Sequence, residues 1–239
     1  MTWEDSSIKI ESMYTEELRR RAKQHASLSD PHRLAIVDEV AISDRSPSEV
    51  AEMLGLPSNL VAHHLQVLED VGLVIRISSH GDRRRRYIRL RRTALGGAPK
   101  PLDLRAQSVL FICTANSARS QLAAGAWNQR HRVRAESAGT HPAGRIHPKA
   151  IAAAKRVGID LKGARPHPLA PSDLESPALV VTVCDRAHED LAKAGRQVPL
   201  HWSIPDPAVV GTNKAFDQAT AEILDRVDEL VPLVSSNLD

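Results

Sequence analysis

The sequence predicts a mixed α/β fold in two parts. The N-terminal part is mainly helical and ends in a β-hairpin, and the C-terminal part is a three-layer α/β/α structure built on a parallel sheet. Helical periodicity dominates the residues before Gly72, and two alternating apolar runs follow it. Strand-like and helix-like segments then alternate towards the C-terminus. The length of 239 residues suits two domains of about 100 residues each.

Composition limits the functions open to this chain. Its 42% hydrophobic content is ordinary for a globular protein, and it shows neither a signal-peptide pattern nor a membrane-length apolar run. Because the chain has two cysteines, we expect reduced thiols with a chemical role in a cytoplasmic protein that has no membrane partner. The net charge is +3, but arginines crowd the first hundred residues, which indicates one basic domain. Aromatic residues make up only 3%, which argues against a base-stacking platform.

Periodicity and capping signals set the first three helices. Residues 1–11 show no clear periodicity and are expected to fray, whereas 12–26 have helical spacing. The cluster Ser29-Asp30-Pro31 supplies the start of a second helix. Ser46-Pro47-Ser48-Glu49 then caps a short third helix, which stops at Gly55.

A fourth helix is predicted over 57–71, after the tight glycine turn, and this pair of helices is a helix-turn-helix arrangement. The runs 73–77 and 87–90 alternate like strands and predict a hairpin. Four arginines, 83–86, lie between these runs at the hairpin tip. The order of helix, helix-turn-helix and basic hairpin describes a winged helix-turn-helix domain.

This order of elements resembles the ArsR family of winged-helix repressors from about Ser29 to Leu90, including the run LGLPSNLVAHHLQVLEDVGLV. Double-stranded DNA is the predicted partner, with the helix 57–71 in the major groove and an affinity that falls with salt. The residues predicted to contact DNA are Ser58, Asn59, Ala62 and His63 on that helix and Arg83, Arg84, Arg85 and Arg86 in the wing. The alternatives are a solvated turn for the arginine run and ordinary, partly buried side chains for His63 and His64.

Metal-sensing members of the ArsR family carry a Cys-x-Cys pair on the helix before the turn, where this chain has Arg45-Ser-Pro-Ser-Glu49. No cysteine precedes Cys113, so the N-terminal part is not expected to sense arsenite by thiolates. We assign no metal site to His63, His64 or His80, because lone histidines are more often ordinary core or surface groups. Winged-helix regulators commonly dimerise, so we expect a homodimer, with the first helix as its candidate surface.

Two glycines and two prolines break the periodicity in 93–107, which predicts a linker between a domain at 1–92 and a domain at 108–239. Alternating strands and helices in the second domain predict a parallel sheet that binds its ligand at the carboxyl ends of the strands. The predicted strands are 109–112, 133–136, 179–183 and 198–201, and the predicted helices are 118–131, 148–157, 186–194 and 212–234.

The first of these strands ends at Cys113, in a small polar loop that leads into a helix. Such a loop suits a phosphate-type oxyanion, because backbone N–H groups and the helix N-terminus can face the anion. Cys113 should then be a thiolate near neutral pH and act as the nucleophile. Arg119 can hold two oxygens of the anion, and Ser120 can hydrogen-bond the thiolate. The spacing Cys-x5-Arg-Ser favours this interpretation over a small buried hydrophobic cysteine.

The sequence CTANSARSQ, residues 113–121, resembles the signature loop of low-molecular-weight tyrosine phosphatases and thiol-dependent arsenate reductases, and its Ser-Gln ending favours the reductases. The resemblance implies that Asn116 braces the loop and that 137–140 lies beside it. The implied oxyanion-binding residues are Thr114, Ala115, Asn116, Ser117, Ala118, Arg119 and Ser120. Two positions depart from the family, because many members have glycine at Ala115 and phosphatases have a second cysteine at Ala118.

Two residues at later strand ends gain roles from the same resemblance. Cys184 resembles the second redox cysteine of the reductases, with an inert buried thiol as the alternative. Asp206 lies in an Asp-Pro loop, and the resemblance implies that its carboxylic acid protonates the leaving oxygen. The alternative is an ordinary turn. Leu191 stands where thioredoxin-coupled reductases have a third cysteine. An outside thiol would therefore reduce a disulfide between Cys113 and Cys184, or attack the first adduct directly.

We therefore predict a DNA-binding transcriptional regulator fused to a thiol-dependent arsenate reductase, which acts on arsenate or a phosphate-type oxyanion. The predicted catalytic residues are Cys113, Arg119, Asp206 and Cys184. No bound cofactor is expected, and the reductant would be an external system of the thioredoxin, glutaredoxin–glutathione or mycothiol type. One alternative is a phosphatase of phosphotyrosine or another phosphomonoester fused to the DNA-binding domain. Another is a non-catalytic repressor that senses an oxyanion or the redox state.

Overall fold

The computed structural model describes residues 3–91, 104–174 and 178–235, and these divide into two compact units. The first unit comprises residues 3–41, 45–77 and 86–91, and the second comprises 42–44, 78–85, 104–174 and 178–235. Two short segments of the predicted N-terminal domain, 42–44 and 78–85, thus group with the second unit. Residues 93–103 of the predicted linker lie outside the described residues.

The first unit contains four helices and a two-stranded hairpin. The helices are α1 (Trp3–Ser27), α2 (Pro31–Ile42), α3 (Pro47–Leu54) and α4 (Ser58–Asp70), and the strands are β1 (Val74–Ser78) and β2 (Arg86–Leu90). The prediction that residues 1–11 fray is wrong for the described residues, since α1 already begins at Trp3. No glycine or proline interrupts the sequence from Trp3 to Ser27, so the helix can continue.

Capping and burial position α4. Ser46 and Glu49 form a capping box at the start of α3, and Gly55 ends α3 in the left-handed conformation at φ 62°. The chain can therefore turn sharply into α4. The fully buried apolar side chains around this turn are Ile36, Val40, Val61, Leu65, Leu68 and Ile88. They hold one face of α4 in the core and leave the other face exposed.

The second unit is a parallel sheet with surrounding helices. Its strands are β3 (Leu104–Arg105), β4 (Ser108–Cys113), β5 (Arg134–Gly139), β6 (Ala178–Thr182), β7 (Leu200–His201) and β8 (Val234–Ser235). Its helices are α5 (Arg119–Arg130), α6 (Pro148–Arg156), α7 (Asp185–Lys193), α8 (Pro207–Val210) and α9 (Asn213–Leu230), with 3-10 turns at Pro171–Leu174 and Val231–Leu233. The main sheet has the parallel order β5-β4-β6-β7, and β3 pairs separately with β8.

Several predicted boundaries in this unit differ from the structure. Strand β5 ends at Gly139 instead of 136, and β7 begins at Leu200 instead of 198. Helix α9 ends at Leu230 instead of 234, because Pro232 has no N–H to continue the helical hydrogen bonds. Strand β3 occupies residues 104–105, which were predicted to belong to the linker. Sequence analysis also missed the short helix α8, which begins directly after Asp206.

Apolar contacts fix the central strand β4. Its residues from Val109 to Cys113 are all buried, and Phe111 lies between the rings of Trp127 and Trp202 at centroid distances of 6.1 and 5.6 Å. Parallel pairing then sets Cys113 beside Gly139. The carboxyl end of β4 is thus a rigid position for a functional side chain.

Within the part of the chain that the structure describes, no helix has the length and hydrophobicity needed to cross a bilayer.

Candidate active site

The thiol of Cys113 lies at the end of β4 and is almost fully buried, at 2% exposure. Its Sγ is 3.0 Å from the Oγ of Ser120, in the first turn of α5. The backbone N–H of Asn116 donates to the same sulfur at 3.2 Å. Both contacts can stabilise a negative charge on this sulfur.

The loop between Cys113 and α5 turns its carbonyl groups outward. The backbone N–H groups of Thr140, His141, Ala143 and His147 donate to the carbonyl oxygens of Cys113, Thr114, Ala115 and Ser117, respectively, at 2.8–3.2 Å. Because the C=O and the next N–H of a trans peptide point in opposite directions, the N–H groups that follow are turned towards the loop interior. Backbone N–H groups turned inward at the start of a helix are an arrangement suited to binding an anion.

Asn116 braces the loop from inside. It adopts a left-handed conformation at φ 47°, and its Nδ2 donates to Ser120 Oγ at 2.8 Å and to Ser137 Oγ at 2.9 Å. Its Oδ1 accepts from Gln121 Nε2 at 3.0 Å. Gly139 lies against this loop, and a Cβ there would come within 2.9 Å of Asn116 Cβ. The segment that sequence resemblance placed beside the loop is therefore in contact with it.

Arg119 joins the loop to the Asp-Pro segment. Its buried guanidinium donates from Nη1 to the carbonyl oxygen of Ile204 at 3.0 Å and from Nη2 to Asp206 Oδ2 at 2.7 Å. Burial lowers the pKa of Arg119, but Cys184, Asp206 and Cys113 outweigh this effect and raise the pKa overall. The other carboxylate oxygen of Asp206 caps α8 by accepting from the N–H of Ala208.

Cys184 lies two residues after β6, the strand that pairs with β4, and directly before α7, and it is 1% exposed. Its Sγ is 3.4 Å from Thr114 Oγ1, so the second thiol touches the residue that follows Cys113. Burial raises the pKa of the Cys184 thiol. Both cysteines are free thiols. The structure thus brings together the four side chains predicted to be catalytic.

Sequence analysis missed a buried polar network behind Cys184. His201 Nε2 lies 3.1 Å from Asp185 Oδ1, and His201 Nδ1 lies 3.0 Å from Thr182 Oγ1. The ring of His188 stacks on that of His201 at 4.1 Å. Burial raises the pKa of Asp185, but hydrogen bonding to His201 outweighs it, so the pKa is lowered. The sequence signal for this network was Asp185 next to Cys184, followed by His188 and His201.

The turn 78–85, which belongs to the second unit, is held by α7. Ser79 Oγ donates to Glu189 Oε1 at 2.6 Å, and the N–H of Asp82 donates to Glu189 Oε2 at 2.7 Å. The N–H of His80 donates to Asp185 Oδ2 at 2.6 Å. The arginines predicted to contact DNA lie on this turn and just after it. The side chain of Arg84 is 91% exposed and pairs with Asp82.

The other residues predicted to contact DNA lie together on one face of α4. Ser58, Asn59, Ala62 and His63 are exposed there. Val61, Leu65 and Leu68 on the opposite face are fully buried. In the arginine run, Arg83, Arg84 and Arg86 are exposed and Arg85 is partly buried.

Comparison with known proteins assigns the second unit to a family. Residues 108–238 match the model of low molecular weight phosphotyrosine protein phosphatases. The chain belongs to this family. Residues 28–77 match a helix-turn-helix domain, so this phosphatase-family enzyme domain is fused to a helix-turn-helix region.

Curated relatives of this phosphatase-family chain include arsenate reductases. Arsenate reductase 2 of Staphylococcus epidermidis is 36% identical over 106 residues, which are 43% of this chain and 79% of the relative. An arsenate reductase of Staphylococcus aureus is 35% identical over 107 residues, with the same shares. A solved arsenate reductase structure from Archaeoglobus fulgidus is 27% identical, with a TM-score of 0.40, and covers 52% of this chain and 98% of that one.

Proposed function

We propose that this chain is a DNA-binding transcriptional regulator fused to a thiol-dependent arsenate reductase. The observation that carries the proposal is the second thiol. Cys184 lies at the end of the strand beside that of Cys113 and contacts Thr114 at 3.4 Å. Hydrolysis of a phosphomonoester needs only Cys113, Arg119 and Asp206 and gives Cys184 no role. Reduction of an oxyanion needs two electrons, which two thiols supply when they form a disulfide.

The proposed reaction starts when arsenate binds in the loop and on Arg119. The Cys113 thiolate attacks arsenic, and one As–O bond breaks as Asp206 gives its proton to the leaving oxygen, which departs as water. Cys184 then loses its proton to solvent, and its thiolate attacks the sulfur of Cys113. The S–As bond breaks with its electron pair moving to arsenic, so arsenic(V) becomes arsenite and the two thiols become a disulfide. An external thiol system of the thioredoxin, glutaredoxin–glutathione or mycothiol type returns both cysteines to thiols.

The test is arsenite production from arsenate with each reductant supplied in turn. The expected result is turnover with at least one reductant, which C113S abolishes and C184S abolishes or restricts to small thiols. Full turnover of C184S with every reductant would contradict the resolving role.

Phosphatase activity is the second candidate, because the family model and the Arg119–Asp206 pair support it. Aryl phosphate hydrolysis lost in C113S and unchanged in C184S, without arsenite formation, would establish that activity instead.

For the helix-turn-helix region we propose binding to double-stranded DNA as a homodimer, with the exposed face of α4 in the major groove. Its support is the exposure of Ser58, Asn59 and His63 opposite a fully buried face. Selection of binding sites from a random DNA pool, followed by titration at increasing salt, tests the proposal. The expected outcome is a two-fold symmetric site whose affinity falls steeply with salt. Failure to enrich any sequence would contradict specific binding.

A further inference from the structure

In the first unit, Asp30, His32 and His64 bring three metal-ligand atoms within 4.8 Å of one another. Asp30 precedes α2, His32 lies in its first turn, and His64 lies in the middle of α4. Asp30 Oδ1 is 3.7 Å from His32 Nδ1 and 3.9 Å from His64 Nδ1. These distances are too long for hydrogen bonds. They are close to the separation of about 3.4 Å that tetrahedral zinc ligands show at metal–ligand lengths of about 2.1 Å.

The side chain of His64 has the features of a buried metal ligand. The residue is 5% exposed, and neither ring nitrogen has a hydrogen-bond partner among the described residues. A buried polar group without a partner is costly, and such groups in native structures call for an explanation. Its ring stacks on that of His32 with a centroid distance of 5.3 Å. The ring of His64 is thus held next to a second imidazole and a carboxylate.

Asp30 is the negatively charged member of this cluster, and Arg33 is the cation next to it. Oδ2 lies 3.8 Å from Arg33 Nη1, while Oδ1 faces the two histidines and accepts from the N–H groups of His32 and Arg33 at 2.9 and 3.0 Å. A metal ion on Oδ1 would replace one of these two backbone hydrogen bonds, while Arg33 would remain beside Oδ2. Burial lowers the pKa of His64, which keeps its ring neutral with a lone pair available to a metal.

We propose that Asp30, His32 and His64 bind one divalent transition-metal ion, with Zn²⁺ as the best match to two imidazoles and one carboxylate. His32 is exposed, so solvent can complete the coordination. The ion would connect the start of α2 with α4, one residue from His63 on the proposed DNA-binding face. Its binding would therefore be expected to change DNA affinity. This site is independent of the proposed reductase chemistry.

Titration of the full chain with Co²⁺ and Zn²⁺ tests the site. The parent for this experiment carries C113S and C184S, so that thiols cannot bind the metal. Co²⁺ binding is followed by its visible absorption and Zn²⁺ by calorimetry. The expected result is one ion per chain. Both H32A and H64Q should weaken binding by at least about tenfold, a loss seen even for outer partners of metal sites.

H63Q is the matched control, since His63 neighbours His64 but lies outside the cluster, and it should bind like the parent. His32 is exposed, so H32A remains informative if H64Q fails to fold. Zn²⁺ should also raise the melting temperature of the parent and of H63Q but not that of H32A. Absence of stoichiometric binding by the parent, or equal affinities of H32A and H63Q, would overturn the proposal.

Discussion

Arg119 Nη2 donates to Asp206 Oδ2 at 2.7 Å, so the proposed oxyanion clamp holds the proposed general acid. The same guanidinium also donates to the carbonyl oxygen of Ile204. An oxyanion that enters the loop therefore competes with the Asp206 carboxylate for the donors of Arg119. Substrate binding can free the Asp206 carboxylate from Arg119, and the freed carboxylate can then take up the proton that it gives to the leaving oxygen.

Removal of the acid should slow the chemistry without weakening substrate binding. We expect D206N to lower kcat by about 100-fold to 10,000-fold, the range for general acid catalysis. Phosphate inhibition should be at least as strong as in the unmodified chain, because the amide competes less than the carboxylate for Arg119. Steady-state kinetics with phosphate as inhibitor measures both effects. D217N alters an exposed carboxylate paired with Arg156 and serves as the control. A kcat of D206N within threefold of the control would exclude the acid role.

Ser120 is expected to set the reactivity of Cys113. Its Oγ lies 3.0 Å from Sγ and accepts from Asn116 Nδ2, which leaves its proton for the sulfur. A hydrogen bond to a charged group contributes about 1.5–3 kcal/mol. S120A should therefore slow alkylation of Cys113 by iodoacetamide at neutral pH by at least about tenfold. Both proteins also carry C184S, so that Cys113 is the thiol whose alkylation is measured. Unchanged alkylation would mean that the loop N–H groups alone stabilise the thiolate.

The resolving step should accelerate with pH. Burial raises the pKa of Cys184, so this thiol stays protonated to higher pH than a free cysteine. Below this pKa the thiolate fraction rises about tenfold per pH unit. Arsenite release in a single turnover should therefore increase from pH 7 upward when Cys184 is the attacking group. C184S supplied with a small thiol should show the pH dependence of that thiol instead. A flat profile in the unmodified chain would contradict the assignment.

The first unit should lose stability in mild acid. Burial is the main cause that lowers the pKa of His64, and the charged or titratable groups near it are Asp30, His32, Arg33 and His63. Below about pH 6.5 the unfolded chain takes up a proton that folded His64 resists. Stability is therefore complete above this pH and falls as the pH drops towards the folded pKa.

Amide hydrogen exchange of α4 at pH 7 and pH 5, corrected for intrinsic rates and with chelator present, measures this loss. H64Q should remove the pH dependence, whereas H63Q should keep it. The same slope in both variants would assign the acid sensitivity to another group.

Local patterns in the sequence were enough to predict most of the fold. The capping pair Ser46 and Glu49, the glycine turn and the apolar run before Cys113 each act over a few residues, and the structure shows all of them. The predicted site residues around Cys113 come together because parallel strands end at one edge of the sheet. The strand-end position of Cys184 follows from the same rule.

Contacts between distant residues were not predictable. Asp185 and His201 are on different elements, as are Asp30 and His64, and no periodicity links either pair. The attachment of the turn 78–85 to Glu189 likewise depends on tertiary structure. In the sequence, the arginines of this turn stand out by their charge, whereas hydrogen bonds to α7 come from Ser79 Oγ and from the backbone N–H groups of His80 and Asp82.

The short ladder of β3 and β8 pairs Leu104 with Val234 in parallel. The strand that precedes residues 108–238 thus lies beside the strand that follows α9. Chain ends that lie close together are a feature of segments that tolerate insertion into other chains. Recombination that cuts before residue 104 would preserve this closure, whereas a cut at 107 would discard half of it.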